Sequence, residues 1–258
     1  MLSSENELDL SHHVFERKLR HLSNRNNLTI VTPSHWLADC TRQSRLFSGN
    51  RIEVIPNIID TDVFHPIRKT VAREALGLSI EKKLILFGCD AGTKNFYKGW
   101  EYLATALHKM DLSGKEVIVF GQEKNNIEEE FNTKVHFLGR LHDEKTSLAL
   151  AYSAADVFVS PSVAEAFGMT LAEAQACETP AVCFNVNGTP DVVLHKQTGY
   201  LAKYKNSEDL ARGIEWVLES DHYDELAQKA REHIVSHCTP DVVINQHKRL
   251  LTSLVDGQ

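Results

Sequence analysis

The chain has 258 residues, of which 42% are hydrophobic and 24% are charged, and its formal net charge is −7 at pH 7. This length suits one or two globular domains, and the mildly acidic balance argues against a broad nucleic-acid-binding surface. No apolar run approaches the length of a membrane span, and the polar, acidic start does not have the pattern of a signal peptide. The five cysteines form no C-x-x-C pair, so we expect a reduced, cytoplasmic chain with at most peripheral contact with a membrane.

The first 60 residues contain short elements separated by polar segments. Residues 11–24 have apolar side chains at helical spacing opposite a basic face, which indicates a solvated helix more than a lipid-binding one. Short strands are predicted at 28–32 and 52–57, the first of them buried, and Ser34 is the expected N-cap of the helix between them. Residues 61–66 have the composition of a linker.

Beyond this linker the pattern becomes a regular alternation of helices and apolar strands. Such strands, separated by helices, indicate an α/β fold with a parallel sheet covered by helices on both faces. Strands are predicted at 84–88, 117–121, 135–139, 156–160, 181–184 and 199–202. Helices are predicted at 71–78, 100–110, 145–154, 169–177, 208–218 (with Ser207 as N-cap), 221–238 and 240–255.

One stretch, residues 155–177, carries the clearest functional signal. A strand ends at Pro161, a loop carries Glu165, and Gly168 opens a helix with Glu173 in its second turn. The free N–H groups of such a helix start favour an anion above the strand end. Two carboxylates beside a bound phosphate could reach hydroxyls on either side of it, which fits a nucleotide sugar. The spacing alone is weak, because glutamates at helix starts are common and two of them fall eight residues apart by chance in many helices.

Other residues have a functional and an ordinary interpretation that the sequence leaves open. Lys98, just before a helix, could meet a diphosphate or be an exposed lysine. Gly188-Thr-Pro-Asp191 could be a second helix start at the same edge of the sheet or a plain turn. His233 and His237 have a spacing that can hold zinc, but no further ligand set accompanies them, so surface histidines are the better interpretation. Asp156 is expected to be a local cap. Neither a G-x-G-x-x-G nor a P-loop motif occurs.

Together these pieces resemble the retaining GT-B glycosyltransferases of family 4, the glycosyl transferases group 1 type. The specific motif is E-x7-E, here Glu165 to Glu173. The surrounding motifs occur in order and at fitting distances: 31–34, 54–57, 60–64, Lys98-Gly99, 137–141, 152–162, 172–177, Thr179-Pro180, 188–191 and 198–201. The resemblance runs from about residue 28 to the end of the chain.

The resemblance implies a donor-binding role for this part of the protein, with no metal ion or other cofactor. Glu173 would hold the ribose hydroxyls, and Glu165 would contact the transferred sugar and assist at the reacting centre, with Lys98 as the second catalytic residue. The other implied donor-binding positions are Arg140 and Leu141 near the base, Phe167, and the backbone of Gly168, Met169, Thr170 and Leu171 at the diphosphate.

Three positions depart from the family pattern. Cys89-Asp90 stand where a basic residue of the diphosphate clamp is usual, and Lys94 is the candidate substitute for it. Glu178 and Asn187 stand where glycine is usual, and we expect these two changes to affect loop geometry more than chemistry.

The largest departure concerns domains, because GT-B enzymes have two Rossmann-like domains with the active site between them. We assign residues 1–60 to a remnant of the N-terminal acceptor domain plus linker, 61–238 to the donor domain and 239–258 to the C-terminal crossover helix. The expected partners are a nucleoside-diphosphate sugar, a glycan or lipid-linked acceptor and a separate N-terminal domain chain, and no nucleic acid.

Three functions remain in competition. The first is a glycosyltransferase, or its donor half, and the second is a nucleotide-sugar-binding module or split-transferase subunit without turnover. The third is a sugar-nucleotide epimerase of related fold. A second domain would separate the first two functions by restoring sugar transfer, because a half-cleft cannot exclude water or position an acceptor.

Overall fold

The computed structural model describes residues 6, 8–23, 25, 27–88, 95–121, 131–141 and 145–256. The chain forms two compact units, Met1–Pro56 and Asn57–Gln258. Among the helices of the described part, none is long and apolar enough to cross a membrane.

As far as the structure describes it, the first unit is a parallel strand pair with two helices. Its elements are α1 (Leu10–Leu22), β1 (Thr29–Thr32), α2 (His35–Gln43) and β2 (Arg51–Val54), and β1 pairs with β2. The Ser34 hydroxyl accepts from the Leu37 amide at 3.3 Å, so Ser34 is the N-cap of α2 as predicted. β1 is only partly buried, because its residues from Thr29 to Val31 keep some exposure, unlike the buried strand that its apolar run suggested.

In the described residues, the second unit is built on a six-stranded parallel sheet. Its strands lie in the order β5-β4-β3-β6-β7-β8, and every neighbouring pair is parallel. The strands are β3 (Lys83–Gly88), β4 (Lys115–Phe120), β5 (Val135–Phe137), β6 (Val157–Ser160), β7 (Ala181–Phe184) and β8 (Gly199–Ala202). The helices are α3 (Lys69–Ala75), α4 (Trp100–Lys109), α5 (Lys145–Ala154), α6 (Met169–Ala176), α7 (Thr189–Val192), α8 (Ser207–Leu218), α9 (Tyr223–Cys238) and α10 (Pro240–Val255).

Helices cover both faces of this sheet, as the apolar strands predicted. Successive side chains of a strand point to opposite faces. In β3, Leu84 and Leu86 belong to one buried cluster, which also holds Leu171 of α6, whereas Ile85 and Phe87 belong to a second, which also holds Leu103 of α4. The predicted α/β fold with a parallel, doubly covered sheet is therefore confirmed.

Asp156 anchors the amino-terminal ends of the two central strands. Its carboxylate accepts from the Leu84 amide at 2.7 Å, from the Arg73 guanidinium at 2.7 Å and from the Lys69 ammonium at 2.8 Å. The side chains of Arg73 and Asp156 are only 5% and 7% exposed. The prediction that Asp156 is a local cap is wrong, because its partners lie on α3 and β3, more than 70 residues away along the chain.

Two local details also differ from the sequence interpretation. The N-cap of α8 is Asn206, whose side chain accepts from the Asp209 amide at 2.9 Å, and Ser207 is the first helical residue. Residues 61–66 are not a free linker, since Phe64 is buried in the core of the second unit. Both polar residues at 206 and 207 suit an N-cap, so local sequence alone could not choose between them.

Replacing Asp156 with Asn should destabilise the second unit strongly. The substitution leaves the Arg73 guanidinium buried beside a neutral amide, and breaking a buried ion pair costs roughly 3–5 kcal/mol. Urea denaturation followed by circular dichroism measures the loss. The control is Glu208→Gln, which breaks the surface pair with Lys109, where the side chains are 63% and 45% exposed, and should change little. Equal effects of the two substitutions would contradict this account.

Candidate functional site

The site is centred on the turn between β6 and α6, at the carboxyl edge of the sheet. β6 is fully buried between β3 and β7. Gly168 is the N-cap of α6 with φ of 105°, a left-handed backbone that glycine adopts easily, and it offers no side chain to cap the helix. The amides of the first turn of α6 therefore keep their partial positive charge for a ligand at this edge.

A close backbone approach brings the Lys98 loop against this turn. Gly99 has φ of 68°, and a Cβ at this position would lie 2.0 Å from the Pro161 carbonyl oxygen. The Val163 amide donates to the Tyr97 carbonyl at 2.9 Å and ties the two loops together. Only glycine fits at position 99, and this constraint brings Lys98 next to the loop that carries Glu165.

Lys98 and Glu165 form a charge pair at the carboxyl edge. The Lys98 Nζ lies 3.7 Å from the Glu165 Oε2, and the side chains are 31% and 22% exposed. The Glu165 backbone is fixed on its other side, because its amide donates to the Asn187 side chain at 3.4 Å and its carbonyl accepts from the Gly188 amide at 3.0 Å. The structure thus brings together two predicted site residues and the start of α7.

Glu173 lies on α6 and faces α5. The Tyr152 hydroxyl donates to its Oε2 at 3.1 Å. Burial raises the pKa of Glu173 to about 7, while the Tyr152 hydrogen bond and the charge of Lys145 act in the opposite direction. The role of Tyr152 was not predicted, although this residue begins one of the motifs that carry the family resemblance.

The remaining predicted donor-binding residues fall into two groups, one buried in the core and one at least partly exposed. Phe167 and Leu171 are only 3% and 1% exposed and belong to the hydrophobic core, so a ligand could meet them only through their backbone. Met169 and Thr170 are at least partly exposed on the first turn of α6. Arg140 is exposed and Leu141 is partly buried; both follow β5, which β4 and β3 separate from β6 in the same sheet.

At two of the three positions that depart from the family pattern, the backbone has a positive φ. Glu178 and Asn187 have φ of 60° and 50°, the left-handed region that favours glycine. Asparagine tolerates this conformation better than glutamate does. Whether these residues affect loop geometry more than chemistry stays a prediction. The third departure, Cys89-Asp90 with Lys94 as its substitute, lies outside the described residues.

The paired histidines of α9 have ordinary structural roles in the structure. His233 Nε2 lies 3.0 Å from the Asp191 carbonyl, and His237 Nδ1 lies 2.8 Å from the His233 carbonyl. Within the part of the chain that the structure describes, no group of three or more His, Cys, Asp or Glu side chains could hold a metal ion. The predicted second helix start is present, since Gly188 precedes α7, but α7 has only 4 residues.

The fold is a Rossmann-like α/β domain of the kind found in GT-B glycosyltransferases. A model of the family "Glycosyl transferases group 1" matches residues 69–233. This chain belongs to the glycosyl transferases group 1 family.

A named relative agrees with this assignment, and solved structures share the fold. The D-inositol 3-phosphate glycosyltransferase of Xylanimonas cellulosilytica is 34% identical over 193 residues, 67% of this chain and 46% of the relative. Sucrose-phosphate synthase from Thermosynechococcus elongatus superposes with a TM-score of 0.80 at 23% identity, covering 100% of this chain and 65% of that one. Anabaena HepE, solved in complex with UDP-glucose, superposes with a TM-score of 0.71 at 19% identity, covering 94% of this chain and 69% of that one. The chain spans about half the length of the curated relatives it matches.

Glu173 should make the stability of the protein depend on pH. Its pKa is about 7 in the folded chain against an ordinary value of 4.5, so the folded state binds the extra proton and stability falls as pH rises from 4.5 to 7. Glu173→Gln removes this contribution, and its stability relative to wild type should therefore rise by up to about 3 kcal/mol over that range.

Urea denaturation at pH 5, 6, 7 and 8 measures this difference. Glu225→Gln is the control, because the Lys229 hydrogen bond lowers the pKa of that exposed carboxyl and its removal should not change the profile between pH 5 and 8. Parallel pH profiles for wild type and Glu173→Gln would show that the carboxyl is not desolvated as described.

Proposed function

We propose that this chain is the donor-binding half of a retaining GT-B glycosyltransferase of family 4. The reaction transfers a sugar from a nucleoside-diphosphate sugar to a glycan or lipid-linked acceptor and keeps the anomeric configuration without an obligatory covalent intermediate. The observation that carries the proposal is the convergence of Lys98, Glu165 and the uncapped start of α6 at one edge of the sheet. Anabaena HepE, which shares this fold, was solved in complex with UDP-glucose, and this supports a nucleotide-sugar donor.

The chemistry of the leaving group explains why these residue types are suitable. A departing nucleoside diphosphate carries negative charge that must be stabilised as the bond to the sugar breaks. Lys98 supplies a positive charge, and the amides from Gly168 to Leu171 supply dipoles that point at the diphosphate without reorganising. Glu165, whose backbone is held from two sides, contacts the transferred sugar and assists at the reacting carbon.

The nucleoside part of the donor occupies the other half of the edge in this proposal. Glu173 accepts hydrogen bonds from the ribose hydroxyls, and Arg140 and Leu141 lie near the base. The fold supports this division, because ligands of open parallel sheets bind outside the carboxyl ends of the strands. Neither the donor nor its reaction requires a metal ion or other cofactor from this chain in the proposal.

A second domain completes the cleft in the proposed enzyme. The chain spans about half of its curated relatives, and an open donor site cannot exclude water or position an acceptor by itself. We therefore propose that an N-terminal domain supplies the acceptor site, with residues 1–60 as part of that domain plus linker, 61–238 as the donor domain and 239–258 as the crossover helix. The apolar side chains that α10 exposes, Leu251, Leu254 and Val255 among them, support a partner for that helix.

The proposed location is the cytoplasm, with at most peripheral contact at the inner face of the membrane. Cys40, Cys177, Cys183 and Cys238 are free thiols in the structure, which is the usual state of cysteines in a reducing compartment. The second candidate function is a nucleotide-sugar-binding module or subunit without turnover, which the same site would serve. An epimerase of related fold is the third, and only its product distinguishes it.

Donor binding is tested by a thermal-shift panel of UDP, GDP, ADP and their glucose and mannose derivatives. We expect one nucleotide family to raise the Tm by about 5–10 °C at a concentration 100 times its Kd. Glu173→Ala should weaken this shift, because the ribose hydroxyls lose their acceptor. Glu232→Ala removes an exposed carboxyl of α9 and serves as the control, with a shift equal to that of wild type. No stabilisation by any of these nucleotides would overturn the proposed function.

Turnover separates the transferase from a binding module and from an epimerase. The stabilising nucleotide sugar is incubated with the chain alone and with the chain plus a separately produced N-terminal domain of a relative, and products are resolved by chromatography. We expect transfer only when the second domain is present, because that domain closes the cleft. Binding without transfer in both mixtures favours the module, and isomerised sugar without an acceptor identifies an epimerase.

A further inference from the structure

Tyr152 of α5 is held in one position by the core. Its side chain is 0% exposed, and its ring packs at centroid distances of 5.2, 5.9 and 6.2 Å against Phe158, Phe120 and Phe64. Its backbone carbonyl accepts from the Thr179 hydroxyl at 2.7 Å, just beyond the end of α6. A ring fixed from three sides leaves its hydroxyl oxygen little freedom of position.

The hydroxyl of this fixed ring is directed at a carboxylate and not at the backbone. It donates to the Glu173 Oε2 at 3.1 Å, across the contact between α5 and α6. Phenylalanine would fill the aromatic cluster equally well, so the hydroxyl has no purpose in packing. The bond occupies one lone pair of the carboxylate and restricts the rotation of a side chain that is otherwise long and mobile.

We propose that Tyr152 is a positioning residue, whose hydroxyl orients the Glu173 carboxylate toward the hydroxyl pair of a nucleoside ribose. This inference rests on the proposed function, in which Glu173 accepts from those hydroxyls. Tyr152 touches neither the ligand nor the reacting atoms and acts only through Glu173.

The charges around Glu173 make the ionised form sensitive to this hydrogen bond. Burial raises the pKa of Glu173 to about 7, and the opposing contributions come from Tyr152 and from Lys145, both on α5. Directly after α6 lies the Cys177 thiol, whose pKa of about 12 keeps it neutral. Glu178 follows that helix, and Arg231 of α9 donates to the Ala176 carbonyl at its end. Removing the Tyr152 hydroxyl therefore raises the pKa of Glu173 further.

The experiment measures affinity as a function of pH for wild type and Tyr152→Phe. UDP, GDP and ADP are titrated by calorimetry from pH 5.5 to 9.5, together with their 2′,3′-dideoxy forms, which keep the diphosphate and lose the hydroxyl pair. For wild type, the affinity of the ribose form relative to the dideoxy form should fall about tenfold per pH unit below a midpoint near 7. The dideoxy ligands account for the titration of the phosphates themselves.

Tyr152→Phe should move this midpoint upward by about one pH unit, because a donor to the charged carboxylate is lost. Its affinity should then approach the wild-type value at the alkaline end. Tyr223→Phe is the matched control, since it removes a hydroxyl that donates to the Asp156 carbonyl at the opposite edge of the sheet, and it should leave the midpoint unchanged. If Tyr152→Phe does not fold, 3-fluorotyrosine at position 152 makes the hydroxyl a stronger donor and should lower the midpoint.

The outcomes separate this inference from the proposed function. A uniform loss of affinity at every pH with an unchanged midpoint gives Tyr152 a structural role only and overturns the inference. Affinity and midpoint that both equal those of wild type overturn the inference as well. In either case, the nucleotide binding that is observed still supports the proposed function. Absence of binding by every nucleotide at every pH overturns the proposed function, and the pH profile of unfolding for Tyr152→Phe then still decides whether this hydroxyl controls the Glu173 carboxyl.

Discussion

The buried carboxylate of Asp156 sets the frame on which the candidate site depends. It binds the first amide of the β3 core and two cations of α3, and so fixes where β3 and β6 begin. β3 and β6 are parallel neighbours, so their other ends lie side by side at the carboxyl edge of the sheet. The loops that carry Lys98 and Glu165 leave from those ends. The two edges of the sheet differ in burial: the Arg73 and Asp156 charges are almost fully buried at one edge, whereas the Lys98 and Glu165 charges at the other are partly exposed.

The carboxyl edge uses backbone and side chains for different tasks. Backbone contacts hold most of the framework: Gly99 packs against Pro161, Val163 donates to Tyr97, and Gly188 donates to Glu165. Side-chain charges remain partly accessible, as in the pair of Lys98 and Glu165. Such a division keeps the ionic groups available for a ligand, because the framework does not consume their hydrogen-bonding capacity. It also suits a fold that serves many functions, since side chains can change while the backbone contacts persist.

Sequence reasoning succeeded where the signal is local. Period and composition located every strand of the sheet within a few residues, and glycine at 99 and 168 marked the turns of the site. It failed where contacts are distant along the chain. Nothing near Asp156 indicates a partner at Arg73, and nothing near Glu173 reveals that a hydroxyl 21 residues earlier reaches it. The order of the strands, with β3 beside β6, is likewise set by tertiary packing, and no local sequence pattern predicts it.

Asn187 illustrates how a departure from a family pattern can be useful. Its left-handed backbone is a conformation that glycine adopts without penalty, yet an asparagine here places an amide oxygen 3.4 Å from the Glu165 nitrogen. A glycine would relax the chain and release that nitrogen. Asn187 thus adopts a less favourable backbone conformation, and its side chain restrains the loop that carries Glu165. The position of the Glu165 backbone therefore depends in part on a side-chain oxygen that a glycine at 187 could not supply.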